Sequence, residues 1–316
     1  MPETGIDRWT HPSVILVATD LGEMDRLMPF ALQQAVETSA RLVLLHVLAS
    51  NTGLAADATG MPYYDPSGAL EFAEKVMQPW CDHARHLGVI CDGLVREGNP
   101  AQQIAASLRQ FQADRLLLGT RSRSRLGKLL LGSVAEQVLR SVNLPVITVG
   151  PEAYLPVDTG SRNRVVLHAT TLRETSRPSA ALACQIASQQ NARLILLHVL
   201  PPIDEMEREG LPTGLHSTAM HEIRALATET AAACGMAVEP RIVHGNPSIE
   251  ILAMAADVRA GLIVLGATHR SAFENLTRDR TVYRVLAHAR CPVLTLREST
   301  DHPTAQSNER TAALHG

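Results

Sequence analysis

The sequence predicts an α/β protein with two tandem doubly wound domains, each a five-stranded parallel sheet flanked by helices. Three observations lead to this fold class. Short apolar runs alternate with segments of helical period, which is typical of strand–helix–strand units in parallel sheets. The chain has 316 residues, whereas one domain averages about 150 residues. Landmarks of the first half also recur in the second half.

The repeat keeps a single register across much of each half. Three landmarks recur at a separation of 147 residues: Gly98 with Gly245, Gly119 with Gly266 and Pro145 with Pro292. A shared separation of this kind indicates a duplicated domain. We therefore predict domains at 1–150 and 151–316, with a linker near 150–163, where prolines and a glycine interrupt any regular pattern. The polar residues after Arg297 are expected to be disordered.

Each element of the first domain follows from a local pattern. Continuous apolar runs indicate strands that are buried on both faces, and apolar residues spaced by three and four indicate helices. We expect residues 1–12 to be a loose tail and residues 49–68 to be a loop. The predicted strands are 14–20, 42–47, 89–96, 116–118 and 145–149. The predicted helices are 29–40, 69–87, 101–110 and 132–141.

Composition argues against several classes of protein. The net charge of −3 gives no reason to expect a nucleic-acid or membrane-surface partner. The first residues lack the apolar stretch of a signal peptide, and no uncharged run approaches the roughly 20 residues of a membrane span. Five cysteines without a CxxC pair favour reduced thiols. We therefore expect a cytoplasmic protein, and its histidines and cysteines form no evident metal-ligand set.

The stretch that follows the fourth strand carries the candidate functional site. Strand 116–118 ends at Gly119, a basic loop follows, and Gly132 opens the next helix. The first N–H groups of a helix and its dipole attract anions, and glycine lets a ligand approach the backbone closely. This arrangement predicts a phosphate site. Ser133 and Glu136 also fit a capping box with Ser133 as the N-cap, a pattern that serves helix stability alone as readily as binding.

A second region is expected to converge on the same crevice. Asp20 ends the first strand, and Gly119 ends the fourth. Ligands of doubly wound sheets bind beyond the carboxyl ends of the strands. The sequence therefore brings an acidic side chain to the predicted phosphate loop.

On these residues the chain resembles the universal stress protein family in its tandem form, over nearly its whole length. ATP-binding members carry glycine, two residues, glycine, nine residues, glycine and then serine or threonine. Here Gly119, Ser122, Gly132 and Ser133 occupy that frame, with Ser122 in place of the second glycine. The resemblance implies an ATP site, with Mg²⁺ as a candidate companion ion. Ser122 weakens the match, because its hydroxyl adds a donor but its Cβ opposes a left-handed turn.

The resemblance also implies roles for residues outside the glycine motif. Asp20 would contact the ribose, Leu42 and Leu118 would line the adenine pocket, and the backbone N–H of Val134 would lie near the phosphates. Ala18 stands where many members have proline.

The resemblance further implies how the two domains associate. In this family the fifth strands of two domains pair across a dimer axis. Strands 145–149 and 292–296 are expected to pair in this way within one chain, as a pseudo-dimer, since an edge strand invites pairing. Further association of whole chains into a homodimer also stays open.

The second half departs from the motif. Three positions are replaced in register: Ser122 by His269, Gly132 by Asp279 and Ser133 by Arg280. In addition, the alignment matches Asp20 with Thr170. A carboxylate at Asp279 would repel phosphate groups, so the second domain is predicted not to bind ATP in the family manner. A different ligand there is an alternative.

Three functional hypotheses follow. The first is a stress-response protein whose first domain binds adenine nucleotide as a switch on an interaction surface, with at most slow ATP hydrolysis. The second is a scaffold of the same family that serves dimerisation or interaction and binds no nucleotide, with Ser122 as the disabling change. The third is an ATP-dependent adenylating enzyme, for which the sequence offers no catalytic residue and fold analogy alone is insufficient.

Overall fold

The computed structural model describes residues 5–49, 54–56, 62–64, 66–120, 132–153, 164–208, 214–268 and 280–298. The helices of the first domain are α1 (Gly5–Thr10), α2 (Met24–Thr38), α3 (Pro66–His86), α4 (Pro100–Gln110) and α5 (Ser133–Ser141). Its strands are β1 (Val14–Thr19), β2 (Arg41–Leu48), β3 (Leu54–Ala56), β4 (Pro62–Tyr64), β5 (Cys91–Glu97), β6 (Arg115–Gly119) and β7 (Val146–Val149).

The second domain repeats the five strands and four principal helices of the first, with one further helix, α7 (Ile203–Arg208), where the first domain has β3 and β4. Its strands are β8 (Val165–Ala169), β9 (Arg193–Leu200), β10 (Val238–His244), β11 (Leu262–Thr268) and β12 (Val293–Glu298). Its helices are α6 (Arg177–Gln189), α7 (Ile203–Arg208), α8 (Leu215–Cys234), α9 (Pro247–Asp257) and α10 (Arg280–His288), with a 3-10 turn at Glu174–Ser176.

Both domains have the same sheet topology. The first sheet runs β5–β2–β1–β6–β7 and the second runs β10–β9–β8–β11–β12, with every pair inside these two five-stranded sheets parallel. The predicted doubly wound fold with five parallel strands per domain is confirmed. The order reverses at β1 in the first sheet, so the crevice of a doubly wound sheet lies beyond β1 and β6.

The two sheets join through their fifth strands. β7 and β12 pair antiparallel, which makes one sheet of ten strands. Thr148 Oγ1 donates to the Val293 carbonyl at 3.2 Å, and Thr295 Oγ1 donates to the Val146 carbonyl at 3.3 Å. Because these two bonds are related by the repeat, the joint has the local two-fold symmetry of a dimer interface. The predicted pairing of fifth strands within one chain is confirmed.

Helices cover both faces of the continuous sheet. α2, α3, α6 and α8 pack on one face, with buried residues such as Leu27, Met77 and Ile223. α4, α5, α9 and α10 pack on the other face, with Ile104, Val138 and others. Within the part of the chain that the structure describes, no helix has the length and apolar character needed to cross a membrane.

Three elements correct the sequence-based expectations. Residues 5–10 form α1 rather than a loose tail, because Asp114 pairs with Arg8 at 2.6 Å and Arg115 donates to the Trp9 carbonyl. α2 begins at Met24 and includes Pro29; the burial of its first turns against the core outweighs the hydrogen bond that proline forgoes. The predicted loop 49–68 contains the antiparallel pair β3–β4. Residues 299–316 of the predicted C-terminal tail and most of the predicted linker lie outside the described residues.

Candidate functional site

A cavity of about 590 Å³ lies at the carboxyl ends of β1, β2 and β6. This volume is within the usual range of small-molecule sites. Seven of the predicted site residues line it: Ala18, Asp20, Leu118, Gly119, Gly132, Ser133 and Val134. The structure therefore brings together the two sequence regions that were expected to converge.

The floor of the cavity is an apolar row that crosses three strands. Ala18 of β1 is in register with Leu45 of β2 on one side and with Leu118 of β6 on the other. All three are buried, and Ile104 of α4 borders the same space. Phe72 of α3 lines the rim with 62% of its surface exposed. These residues offer a flat apolar group a buried face and an aromatic neighbour.

The first turn of α5 forms the polar side of the cavity. Gly132 is the N-cap, with φ −63° and ψ 145°, and its carbonyl accepts from the Glu136 N–H at 2.9 Å. The N–H groups of the next three residues precede the first intrahelical bond and can serve a ligand. Ser133 and Val134 are exposed at this turn. The helix start therefore has the donors that an anion needs.

The predicted capping box is wrong. Gly132 rather than Ser133 is the N-cap, and it makes no side-chain cap hydrogen bond. Glu136 therefore sits one position too far along the helix to reach back, and it pairs instead with Arg140 at 2.7 Å. Ser133 is consequently the first helical residue, with its hydroxyl available at the cavity.

Asp20 lies at the mouth of the cavity in a tight turn. Its Oδ1 accepts from the Gly22 N–H at 2.8 Å, and Thr19 Oγ1 accepts from the Leu21 N–H at 2.9 Å. Leu21 has a left-handed φ of 70°. These bonds fix the Asp20 carboxylate at the end of β1, and the carboxylate keeps acceptor capacity for a ligand hydroxyl.

Glu23 is a site residue that the sequence analysis missed. Its side chain is only 8% exposed and lines the cavity against Gly119, where a Cβ would overlap the carboxylate. The absence of a Cβ at Gly119 thus makes room for the Glu23 side chain. The sequence analysis had explained this glycine only by the close approach of a ligand. The signal was present, because Glu23 follows Asp20 by three residues and immediately precedes α2.

One predicted residue, Leu42, does not line this cavity. Leu42 is fully buried and packs in the core cluster with Ile15 and Leu117, on the sheet face covered by α2 and α3. Side chains alternate along a strand, so the cavity receives Leu45 from β2 instead. Leu42 is therefore no candidate for an adenine contact. Ser122 lies outside the described residues, as does the basic loop around it.

His46 also lines the cavity. Its Nδ1 lies 2.9 Å from the Thr19 carbonyl, and His198 repeats this bond with the Thr170 carbonyl at 2.9 Å. A carbonyl only accepts, so Nδ1 carries the proton in both rings. Among the described residues, no group of three or more His, Cys, Asp or Glu side chains could hold a metal ion. Both histidines are hydrogen-bonded to the backbone.

The structure corrects the alignment of the two domains at this site. Thr170 matches Thr19, because each hydroxyl accepts from the N–H two residues later and each carbonyl meets the equivalent histidine. Asp20 therefore corresponds to Thr171 rather than Thr170. By the same register Glu23 corresponds to Glu174, whose side chain is 81% exposed. Asp279 lies outside the described residues.

Comparison with known proteins gives one consistent result. The model of the universal stress protein family matches residues 13–150 and 162–297. A universal stress protein of Mycolicibacterium smegmatis is 26% identical over 304 residues, which covers 90% of this chain and 96% of the relative. A universal stress protein of Mycobacterium tuberculosis is 25% identical over 294 residues, which covers 85% and 93%.

A solved structure shows the same fold. A universal stress protein from Archaeoglobus fulgidus superposes with a TM-score of 0.71 at 20% identity, over 93% of this chain and 99% of that chain. The two segments matched by the family model lie on either side of the linker and coincide with the two five-stranded sheets. The chain therefore belongs to the universal stress protein family and carries two of its domains in tandem.

Proposed function

We propose that the first domain binds one adenine nucleotide, ATP, in the cavity beyond β1, β2 and β6, and that binding acts as a switch on an interaction surface. The observation that carries this proposal is the meeting of an apolar floor and a helix N-terminus in one cavity. A nucleotide has the matching parts, a flat base at one end and phosphates at the other.

The base would lie on the row formed by Ala18, Leu45 and Leu118. These side chains are buried and bear no charge, so the ring would replace water on an apolar surface. The ring of Phe72 lines the rim of the same cavity and would stack with the base. Asp20 would accept from a ribose hydroxyl, since its carboxylate is held at the end of β1.

The phosphates would lie at the first turn of α5. The N–H groups of Ser133 and Val134 and the Ser133 hydroxyl are donors there, and the helix dipole adds favourable charge. Mg²⁺ usually binds through substrate phosphates with one or two carboxylates. Asp20 and Glu23 are carboxylates of the described lining that fit that role.

The second domain is proposed to lack this activity. Thr171 replaces the carboxylate of Asp20, and Asp279 stands in the sequence where Gly132 opens α5. A carboxylate at a helix start would compete with phosphate for the same donors and repel it. One nucleotide per chain is therefore expected.

The test is a stoichiometry measurement followed by titration. Purified protein is denatured and the released adenine nucleotide is quantified, and nucleotide-free protein is then titrated with Mg-ATP by calorimetry. We expect about one site per chain, and Gly132→Asp should weaken binding by at least about a hundredfold through charge repulsion. Gly214→Asp is the matched control, because it makes the same change at the N-cap of α8 in the second domain.

A scaffold function is the second candidate. Glu23 already places a carboxylate against Gly119 inside the cavity, and Ser122 replaces a motif glycine. Absence of released nucleotide together with no heat of binding for Mg-ATP would favour the scaffold over the switch.

A further inference from the structure

Two buried thiols of the first domain face each other outside the cavity. Cys81 lies on α3 and Cys91 opens β5, and their Sγ atoms are 3.4 Å apart. Each residue is 1% exposed. Both thiols are reduced in the structure.

We propose that Cys81 and Cys91 are a modification site, a dithiol that a hydroperoxide converts to a disulfide joining α3 to β5. This proposal does not depend on nucleotide binding. A disulfide has an S–S bond of about 2.05 Å, so the sulfurs need to approach by about 1.4 Å. The short connection between the two elements already holds them together: the Val89 N–H donates to the Ala84 carbonyl at 2.9 Å, and Gly88 turns the chain with φ 79°.

The packing leaves the sulfurs free to meet. The Sγ of Cys81 lies over β5, where a Cβ on Gly93 would stand 3.7 Å away. Cys81 and Cys91 both belong to the core cluster under α3, with Met77 and Ala84 as further members. Flexible or small neighbours of this kind permit a side-chain rotation without displacement of the backbone.

The electrostatics assign different roles to the two sulfurs. The hydrogen bond donated by Cys91 lowers the pKa of the Cys81 thiol, with a smaller contribution from the Arg85 guanidinium. The same hydrogen bond and burial raise the pKa of Cys91. Cys81 is therefore the sulfur that reacts as a thiolate, and Cys91 is the resolving thiol.

The chemistry balances with a hydroperoxide as the oxidant. With hydrogen peroxide as the hydroperoxide, the Cys81 thiolate attacks one peroxide oxygen, the O–O bond breaks, and the other oxygen leaves as hydroxide and takes up a proton to become water. The resulting sulfenic acid is attacked by the Cys91 sulfur, which loses its proton, and a second water leaves as the S–S bond forms. Both sulfurs are oxidised by one electron each and one peroxide is reduced. Burial restricts the site to an oxidant of the size of hydrogen peroxide.

The second domain provides natural replacements. Leu42 pairs with Cys91 in the first sheet and Leu194 pairs with Val238 in the second, so Val238 is the counterpart of Cys91. The buried residues of the two helices have the same spacing, Ala73, Met77, Cys81 and Ala84 in α3 and Ala219, Ile223, Ala227 and Thr230 in α8, so Ala227 is the counterpart of Cys81. The same fold thus accommodates Ala and Val at these positions.

The experiment treats the reduced full-length protein with hydrogen peroxide, blocks the remaining thiols by alkylation after denaturation, and maps the peptides by mass spectrometry. We expect two of the five thiols to be lost, with a peptide pair linked through Cys81 and Cys91 that dithiothreitol separates. Cys81→Ala and Cys91→Val, which import the second-domain residues, should each abolish the linked pair. Cys291→Ala, which removes a buried cysteine elsewhere, should retain it.

Circular dichroism before and after treatment shows whether the chain stays folded. A folded protein that keeps both thiols, or that carries Cys81 as a sulfinic acid with Cys91 still free, would overturn the proposal. A linked pair that involves Cys184 and Cys234 instead would overturn it equally.

Discussion

The two domains share a strand order but differ in the residues at the ends and centres of their strands. In the first domain Asp20 and the buried Glu23 lie beside a cavity; in the second, Thr171 and the exposed Glu174 take their places. The centres of the sheets also differ, since each domain buries a polar side chain at a position where the other has an apolar one. The comparison teaches that the scaffold depends on the apolar runs, whereas the chemistry depends on a few substitutions within it.

Arg115 is the buried polar residue of the first domain. It is 1% exposed and donates to Gln34 Oε1 at 2.6 Å and to the Trp9 carbonyl. Strand register makes Leu262 its counterpart, and in the described part of the chain Gln185 Oε1, the counterpart of Gln34, has no hydrogen-bond partner. The Arg115 guanidinium therefore donates hydrogen bonds to acceptors on both α1 and α2. In the described residues of the second domain, Leu262 cannot make such a link.

The largest expected effect comes from removing this link. Arg115→Ala should lower the free energy of unfolding by about 4 kcal/mol, because it leaves a cavity and two buried carbonyls without donors. Arg115→Leu, which copies the second domain, should cost about 2 kcal/mol. Urea unfolding measures both. The exposed Arg177→Ala serves as the control and should stay within about 0.5 kcal/mol of the unmodified protein. A loss below about 1 kcal/mol for Arg115→Ala would contradict this account.

His168 is the buried titratable residue of the second domain, and Val17 is its counterpart. The ring is fully buried and its Nδ1 meets the Val264 carbonyl at 3.1 Å. Burial lowers the pKa of His168 from 6.5 to about 4. The unfolded chain therefore binds more protons than the folded chain between these pH values, and stability is lost as the pH falls through this window.

The second expected effect is the loss of that pH dependence. In His168→Val, the unfolding free energy should fall less steeply as the pH drops below 6.5. The variant should therefore gain about 3 kcal/mol of stability relative to the unmodified protein as the pH nears 4. Urea unfolding at pH 8, 6 and 4.5 follows the difference. His86→Gln, at an exposed histidine, is the matched control. If the unfolding free energies of the variant and the unmodified protein differed by the same amount at all three pH values, His168 would not be the cause of the lost stability in acid.

The third and smallest expected effect concerns Gly119. Gly119→Ala should cost about 2 kcal/mol, because its Cβ would displace the buried carboxylate of Glu23. Gly266→Ala, at the counterpart of Gly119, should cost less, because the counterpart of Glu23 in that domain is the exposed Glu174. The double variant Glu23→Ala with Gly119→Ala should cost less than the sum of the single changes. Additive costs would show that the glycine does not make room for Glu23.

Local patterns in the sequence predicted most of the fold. Apolar runs located the five strands of the first sheet within a few residues, and the 147-residue repeat predicted the duplication. The motif glycines and Asp20 located the cavity edge. Leu42 was misplaced because an adenine contact depends on the sheet face a side chain occupies. The match of Asp20 with Thr170 failed because the domains differ in loop length, so one separation does not hold along the whole repeat.

The sequence by itself determined the alternation of strands and helices, the duplication and the position of the helix start at the cavity, because periodicity and glycine act over a few neighbouring residues. Only the tertiary structure decided that Glu23 fills the space beside Gly119, that α1 docks through Arg115, and that Cys81 meets Cys91. These contacts depend on how helices dock on the sheet and which way side chains turn. That geometry is set by the packing of the whole core, which brings together residues that are far apart in the sequence.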